Sequence, residues 1–149
     1  EPGVAMPLEL PKKIPKIYYC SRTHRQLSQI PTELSRTIYN KTKMTILSSR
    51  EFSCIQQTNR NKNELCYELN QPRQKMCCRF YTEHNKYDIA SFGALKHHGF
   101  EMPYDIEDFV NLGLKQQSCP YFAARNLMSE AELILCPYNY ILDPEIRRQ

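Results

Sequence analysis

Apolar residues near the start of the chain follow first a strand-like and then a helical pattern. Residues 16–20, KIYYC, form a short β-branched and aromatic run that predicts a buried strand. The next apolar positions lie three and four residues apart, which predicts an amphipathic helix carrying Leu27, Ile30, Leu34 and Ile38. MTILSS, residues 44–49, predicts a second strand. A strand, a helix and a strand in this order allow the two strands to pair in parallel.

Two local features define this first helix. Ser21 or Thr23 can cap its N-terminus, because a side-chain oxygen there accepts a free backbone N–H. Pro31 must kink or divide the helix, since its ring removes one backbone donor and crowds the preceding turn.

A second helical pattern begins at DIEDFVNLG. Asp105 suits the N-cap position, and acidic residues fill the first turn, where the helix dipole favours negative charge. Gly113 stands near the expected end of the helix. One face of this helix would carry the apolar residues Ile106, Phe109 and Val110.

The remaining pattern predicts two α/β pieces separated by an insert. CPYFAARNLMSEA predicts a helix with Pro120 at its first position, residues 132–138 predict a strand, and LDPEIRRQ predicts a helix or a loop. Residues 50–104 show neither the apolar periodicity of a strand nor that of a helix, and they are rich in Asn, Gln, Lys and His. Something other than a large apolar core must therefore order them. The predicted sheet is small, and we expect the chain to be part of a larger protein.

Charge is distributed unevenly along the chain. Residues 1–99 contain 16 Lys and Arg against 8 Asp and Glu, whereas residues 100–149 contain 4 against 8. A basic surface of this kind favours a polyanionic partner, although an ordinary solvated face explains it equally well. No apolar run approaches the roughly 18 residues of a membrane helix, so no membrane partner is expected. The proline-rich start predicts a linker, without a signal peptide.

Seven cysteines are many for a chain of 149 residues. An odd number argues against a complete disulfide framework and favours a metal site, with scattered buried thiols as the alternative. Cys20 and Cys136 lie inside predicted strands and are expected in the core. Four others stand 12, 12 and 41 residues apart and are the candidate metal ligands: Cys54, Cys66, Cys78 and Cys119.

The spacing of these four cysteines bears on the type of metal. Structural zinc sites usually take ligands from close C-x₂₋₄-C pairs, whereas these cysteines come singly from separate segments. A cubane cluster with one cysteine at each iron fits that dispersal better, and zinc stays open as an alternative. Cys119 directly precedes Pro120 at a helix start, where the helix dipole is expected to lower the pKa of its thiol.

Six segments, taken together and in order, resemble the iron–sulfur DNA helicases related to xeroderma pigmentosum group D, most of all their Fanconi anaemia group J branch. These segments are KIPKIYYCSRTHRQLSQI, MTILSSREFSC, CRFY, DIEDFVNLG, SCPYFAARNL and ILCPYNYILDPEIR. The resemblance implies an α/β fold: part of a RecA-like P-loop motor domain with an inserted, mainly helical 4Fe-4S cluster domain. It divides the chain into a linker (1–15), two parts of helicase domain 1 (16–49 and 132–149) and the iron–sulfur domain (50–131).

The resemblance also implies roles for individual residues. Its C-x-F-Y motif selects Cys78 rather than Cys77 as the third ligand of a 4Fe-4S cluster, with Cys77 as a possible substitute. SRTHRQ matches the motif that touches single-stranded DNA, and hydroxyl and guanidinium groups suit phosphate oxygens. The DNA-binding residues it implies are Ser21, Arg22, Thr23, His24, Gln26, Arg50, Tyr138 and Asn139.

The function implied for the parent protein is that of a nuclear, ATP-dependent 5′-to-3′ DNA helicase that acts in DNA repair and binds single-stranded and forked DNA. Neither a Walker A motif nor a DEAH box occurs in this sequence, so no catalytic residue is expected and ATP and Mg would bind elsewhere in the complete enzyme. Two alternatives remain: a zinc-stabilised nucleic-acid-binding module without a motor, and a protein-interaction domain that binds an acidic partner.

Overall fold

Three parallel strands form the sheet at the centre of the computed structural model, which describes residues 15–72 and 76–148. The strands are β1 (Ile17–Ser21), β2 (Met44–Ile46) and β3 (Leu133–Pro137). β3 comes last in sequence but lies between β1 and β2, and both pairings are parallel. The prediction of an α/β fold with a parallel sheet is therefore confirmed.

Short helices surround this sheet. They are α1 (His24–Leu27), α2 (Gln29–Ser35), α3 (Arg50–Ser53), α4 (Lys62–Leu69), α5 (Phe92–His97), α6 (Ile106–Gln116), α7 (Pro120–Leu127), α8 (Asn139–Leu142) and α9 (Pro144–Arg147). None of these helices has the length and apolar character needed to span a bilayer. The predicted linker at residues 1–15 lies outside the described residues except for its last position.

The first predicted helix is divided, as Pro31 required. Thr23 caps α1, its hydroxyl accepting the Gln26 N–H at 3.3 Å. The helix is interrupted at Ser28, between α1 and α2. Pro31 therefore lies in the first turn of α2, where backbone N–H groups have no partner within the helix. The prediction for Ile38 is wrong: α2 ends at Ser35, and the Ile38 side chain is 89% exposed.

The first strand is less buried than its apolar sequence predicted. Tyr18 and Tyr19 in β1 are nearly half exposed, whereas Ile134 and Leu135 in β3 are fully buried. β1 lies at one edge of the sheet and β3 lies between its two neighbours. β2 is the other edge strand but is buried, because α7 packs against it and the Thr45 hydroxyl donates to the Ala124 carbonyl at 2.8 Å.

The apparently pattern-free segment divides into two halves with different surroundings. From Ile89 onward its apolar residues join the main core beneath the sheet, with Leu95 and Tyr104 fully buried. The Tyr104 hydroxyl donates to the Met44 carbonyl of β2 at 2.9 Å. Within residues 50–86, by contrast, the buried residues of the described part are only Ser53, Ile55, Cys78 and Phe80. Only this first half therefore lacks a large core; the domain boundary at residue 131 stays a prediction.

The helix predicted at DIEDFVNLG is present but longer than expected. Asp105 and Asp108 form a capping box at its start, as the sequence indicated for Asp105. The helix continues past Gly113 and ends at Gln117, which takes a left-handed conformation with φ 53°. Gly113 is instead required by packing, because a Cβ there would overlap the ring of Pro120 and lie 2.8 Å from the Ser118 carbonyl oxygen.

We predict that Gly113→Ala destabilises the protein by about 1–3 kcal/mol, because the added methyl group forces α6 and α7 apart. Gly93→Ala in α5 is the matched control, since its Cβ would meet nothing closer than the Ser91 hydroxyl at 3.9 Å. That control should be neutral or stabilising by up to about 1 kcal/mol. Urea unfolding of both variants provides the measurement, and equal stability of the two would contradict the packing argument.

Candidate metal centre and nucleic-acid interface

All four candidate cysteines line one cavity. Cys54 ends α3, Cys66 lies within α4, Cys78 is in the loop that follows α4, and Cys119 caps α7. Cys78 and Cys119 are buried, and the other two are half-buried. Four segments that are distant in sequence thus converge, as the sequence predicted.

The other three cysteines lie apart from this cavity. Cys77 is exposed, although it neighbours Cys78 in sequence. Cys20 and Cys136 face each other across β1 and β3, with their sulfur atoms 3.5 Å apart. The prediction that both lie in the core is confirmed for Cys136, which is fully buried. Cys20 is partly exposed and packs against the main core.

Each of the four cavity sulfurs accepts an N–H group. The side-chain amide of Gln56 donates to the Cys78 sulfur and that of Asn70 to the Cys66 sulfur, both at 3.4 Å. Backbone N–H groups donate to the other two sulfurs. The Gln56 N–H donates to Cys54, and the Tyr121 and Phe122 N–H groups donate to Cys119. Hydrogen bonds of this kind to cysteine sulfur are the usual second shell of iron–sulfur sites.

Burial opposes the ionisation of two of these thiols, Cys54 and Cys119. It raises the pKa of Cys119 to about 11, against the smaller opposing effect of the N–H groups at the start of α7. Burial also raises the pKa of Cys54, while the Gln56 N–H and the Lys62 ammonium lower it. The expected lowering of the Cys119 pKa is therefore wrong for the metal-free thiol, because desolvation outweighs the helix terminus. Metal ligation would have to displace these protons.

Four cysteines are the metal-binding side chains of the cavity wall. Among residues 15–72 and 76–148, no three His, Cys, Asp or Glu side chains are arranged to hold one metal ion. A tetrahedral zinc with bonds of about 2.3 Å would require thiolate sulfurs roughly 3.8 Å apart. The four cysteines line a small cavity with Leu65 and Leu69 in its wall. One cysteine for each corner of a cubane fits this donor set.

Asn85 joins the two loops that carry Cys78 and Cys119. Its side-chain amide donates to the carbonyl of Arg79 at 2.8 Å and to that of Gln117 at 2.9 Å. Its backbone carbonyl accepts the Ser118 hydroxyl at 2.7 Å. A direct bond from the Cys119 N–H to the Phe80 carbonyl, 2.8 Å long, reinforces the connection. The Asn85 side chain and this backbone bond together hold Cys78 and Cys119 in place relative to each other.

Aromatic rings enclose the cysteine cavity. Phe80 and Tyr121 are buried in the same small cluster as Cys78 and Cys119. The Tyr81 ring stacks on that of Phe122, with centroids 4.2 Å apart. These contacts favour shielding of the cavity from water over base stacking as the role of the rings.

A polar groove runs along the edge of the sheet where the parallel strands end. Ligands of open α/β sheets commonly bind at this edge. Five of the residues predicted to bind DNA line this groove, although they come from three separate segments: Arg22, His24, Arg50, Tyr138 and Asn139. Burial lowers the pKa of His24, whose ring packs against Phe52.

The other three predicted DNA-binding residues do not line the groove. Ser21 is buried and donates its hydroxyl to the Thr23 carbonyl at 2.7 Å. Thr23 is occupied as the cap of α1, and Gln26 lies on the exposed surface of that helix. The structure thus gives Ser21 and Thr23 local roles in shaping the loop that carries Arg22.

The groove also contains Tyr121, together with Asn63 and Arg125, the two that sequence reasoning did not select. Two guanidinium groups lie near the Tyr121 ring, Arg125 at 3.5 Å and Arg50 at 4.0 Å from its centroid. Arg125 also donates to the Tyr140 hydroxyl at 3.2 Å. The sequence signal for Arg125 was its place on an otherwise apolar face of α7. Periodicity alone interprets an arginine as a solvent-exposed position.

Arg50 connects the groove with the cysteine cavity. It lines both, as Tyr121 does, and its Nη1 donates to the Asn63 side chain at 3.3 Å. Its Nε is buried and has no hydrogen-bond partner within the described part of the chain. The two candidate sites therefore share a wall, so a shift of Arg50 or Tyr121 in one site changes the lining of the other.

Comparison with known proteins identifies the family. The DEAD_2 family model matches residues 19–149. The Fanconi anemia group J protein homolog of Gallus gallus is 48% identical over 139 residues, which cover 90% of this chain and 11% of the relative. The regulator of telomere elongation helicase 1 homolog of Caenorhabditis elegans is 44% identical over 142 residues, covering 91% of this chain and 14% of the relative.

Solved structures support the same fold. A truncated XPD matches with a TM-score of 0.58 at 17% identity, covering 90% of this chain and 36% of the other. An XPD helicase matches with a TM-score of 0.57 at 18% identity, covering 90% and 22%. This chain spans about an eighth of the length of the curated relatives it matches. It belongs to the DEAD_2 family, within the XPD-like group that its sequence motifs indicated.

Proposed function

We propose that this chain is the iron–sulfur and DNA-contacting part of the first motor domain of a DNA repair helicase. Family membership supports the helicase assignment, because the relatives above carry that activity or a repair syndrome in their names. The observation that carries the proposal is local. A cavity surrounded by four cysteines adjoins, at Arg50 and Tyr121, a polar groove at the ends of the parallel strands.

Cys54, Cys66, Cys78 and Cys119 would hold a 4Fe-4S cluster in this proposal. When bound, the cluster supplies a covalent junction for four segments rather than a reaction step. Residues 50–86 have few buried apolar contacts of their own, so the metal bonds would replace the missing core. The N–H donors from Gln56 and Asn70 would orient the sulfurs and offset the negative charge that four thiolates concentrate there.

The polar groove would bind the backbone of single-stranded DNA. Arg22 and Asn139 are exposed in the groove, and the partly buried Arg50 lines it with them. Guanidinium and amide groups contact phosphate oxygens without reading sequence, which suits an enzyme that moves along DNA. Tyr138, half exposed at the same edge, offers a ring on which a base can stack.

The motor that uses this part would be an ATP-dependent 5′-to-3′ helicase acting on single-stranded and forked DNA in the nucleus. ATP and Mg would bind to other segments of the parent protein, and no residue of this chain is proposed to be catalytic. Because Arg50 and Tyr121 contact both candidate sites, the cluster domain and the DNA path would move together. Such a rigid junction could help to separate the strands of a duplex as the motor pulls one of them.

We predict that Cys119→Ser abolishes the visible iron–sulfur absorbance and exposes residues 50–86 to proteolysis, while residues 89–131 stay protected by the main core. Cys77→Ser is the matched control, because that thiol is exposed and outside the cavity. The measurements are iron and sulfide content, absorbance and limited proteolysis of anaerobically purified protein. One zinc per chain, or an unchanged digestion pattern, would contradict the iron–sulfur proposal.

We predict that Arg22→Gln weakens binding to single-stranded DNA and lowers the slope of log affinity against log salt by about 0.7, the value for one lost phosphate contact. Arg25→Gln removes an equally exposed arginine that does not line the groove and should leave the slope unchanged. A salt titration with oligo(dT) makes the comparison. Equal effects of the two substitutions would indicate diffuse attraction rather than a defined path.

We predict that Asn85→Asp accelerates loss of iron to a chelator several-fold. The aspartate keeps the size of the side chain but lacks the N–H groups that hold the Arg79 and Gln117 carbonyls, so each of these carbonyls loses a bond. Asn126→Asp carries the same change of charge on an exposed position of α7 and serves as control. Iron release at the same rate in the two variants would exclude Asn85 as the residue that spaces the ligands.

A further inference from the structure

A second groove lies at the opposite edge of the sheet from the polar groove. It is formed by the segment that enters β2 and by α5 with the loop after it, and it encloses about 290 Å³. Lys43 directly precedes the first residue of β2, whereas Arg50 follows that strand. Because the strands are parallel, a molecule bound at the entry edge would leave the polar groove free. We call this site the lysine groove.

The floor of the lysine groove is apolar and preformed. Leu95 is fully buried, and three partly buried side chains beside it pack against the main core: Phe92, Phe100 and Met102. The Phe100 ring is held against that of Tyr104, with centroids 4.9 Å apart. Aromatic and methionine side chains are enriched at protein interfaces, and a fixed floor costs a partner little ordering entropy.

The rim of the groove is basic. Lys41, Lys43 and Lys96 are exposed, and no carboxylate of the described residues lies within 4.0 Å of their ammonium groups. Two acids are near: Glu101 stands on the rim, and the Glu132 carboxylate accepts the Lys43 backbone N–H at 3.0 Å. Three cations against two anions leave the rim positive, with the lysine ends free to move toward a ligand.

We propose that the lysine groove binds a short acidic segment of a partner protein, which inserts one aliphatic or aromatic side chain into the apolar floor. The lysines would pair with carboxylates on either side of that residue, giving charge complementarity around an apolar anchor. Nucleic acid fits less well, because its phosphates would leave the apolar floor uncovered and the rim offers no arginine for bidentate contacts. This proposal is independent of the cluster and DNA proposals.

A peptide titration tests the proposal. The probe is a fluorescein-labelled nonapeptide with four acidic residues on each side of a central Phe, measured by anisotropy at 0.15 M ionic strength to limit non-specific attraction. One control peptide replaces the central Phe with Ser, and another replaces the acids with Asn and Gln. We expect saturable binding of the first peptide and at least tenfold weaker binding of both controls.

Matched lysine variants locate the site. Lys96→Gln, in the last turn of α5, should weaken binding of the Phe peptide about three- to fivefold, as loss of one exposed ion pair does. Lys115→Gln, an equally exposed lysine in the last turn of α6, should have no effect. Far-ultraviolet circular dichroism verifies that both variants are folded.

Three results would overturn the proposal. If the Ser control peptide bound as tightly as the Phe peptide, the interaction would be charge attraction alone and the apolar floor would have no role. Equal effects of Lys96→Gln and Lys115→Gln would place the peptide elsewhere. Displacement of the peptide by oligo(dT), together with weaker oligo(dT) binding in Lys96→Gln but not in Lys115→Gln, would assign the groove to nucleic acid.

Discussion

The convergence of four cysteines from four segments is the constraint on which the first half of the insert depends. Residues 50–86 bury few side chains of their own, and those they bury cluster around Cys78 and Cys119 rather than under the sheet. Desolvation raises the pKa of the Cys54 and Cys119 thiols and outweighs the N–H donors that lower it. The proposed iron–sulfur cluster would resolve both problems, because its cations would neutralise the sulfurs and its bonds would replace the missing apolar contacts.

The same packing connects this centre to the polar groove. Helix α7 begins at Cys119, carries Tyr121 and Phe122 against the cavity, and ends in the main core at Leu127. Arg50 stands one turn before Cys54 and packs on the Tyr121 ring. One rigid helix and one arginine therefore fix the cysteine cavity relative to the ends of the strands. The lysine groove lies at the other edge of the sheet, where it can act without disturbing this junction.

Much of this arrangement was predictable because it depends on local signals. The cap at Asp105, the proline at the start of α7, the parallel strands and the grouping of the four cysteines all follow from short motifs. Other features depend on tertiary contacts that no period records. Leu95 and Tyr104 belong to the main core although their segments show no periodicity, and Gly113 is required by its contact with Pro120. Asn85 and Arg125 donate to backbone carbonyls that are far away in sequence. Ile38 kept the helical spacing but lies beyond the helix end.

The most direct test of the central claim is amide hydrogen exchange of the wild-type chain before and after iron is removed by a chelator under anaerobic conditions. Exchange should accelerate selectively in residues 54–86, while the amides of β3 and of α6 keep their protection, since these lie in the main core. Uniform protection that does not change on iron removal, or a purified chain that is folded and contains no iron, would contradict the account.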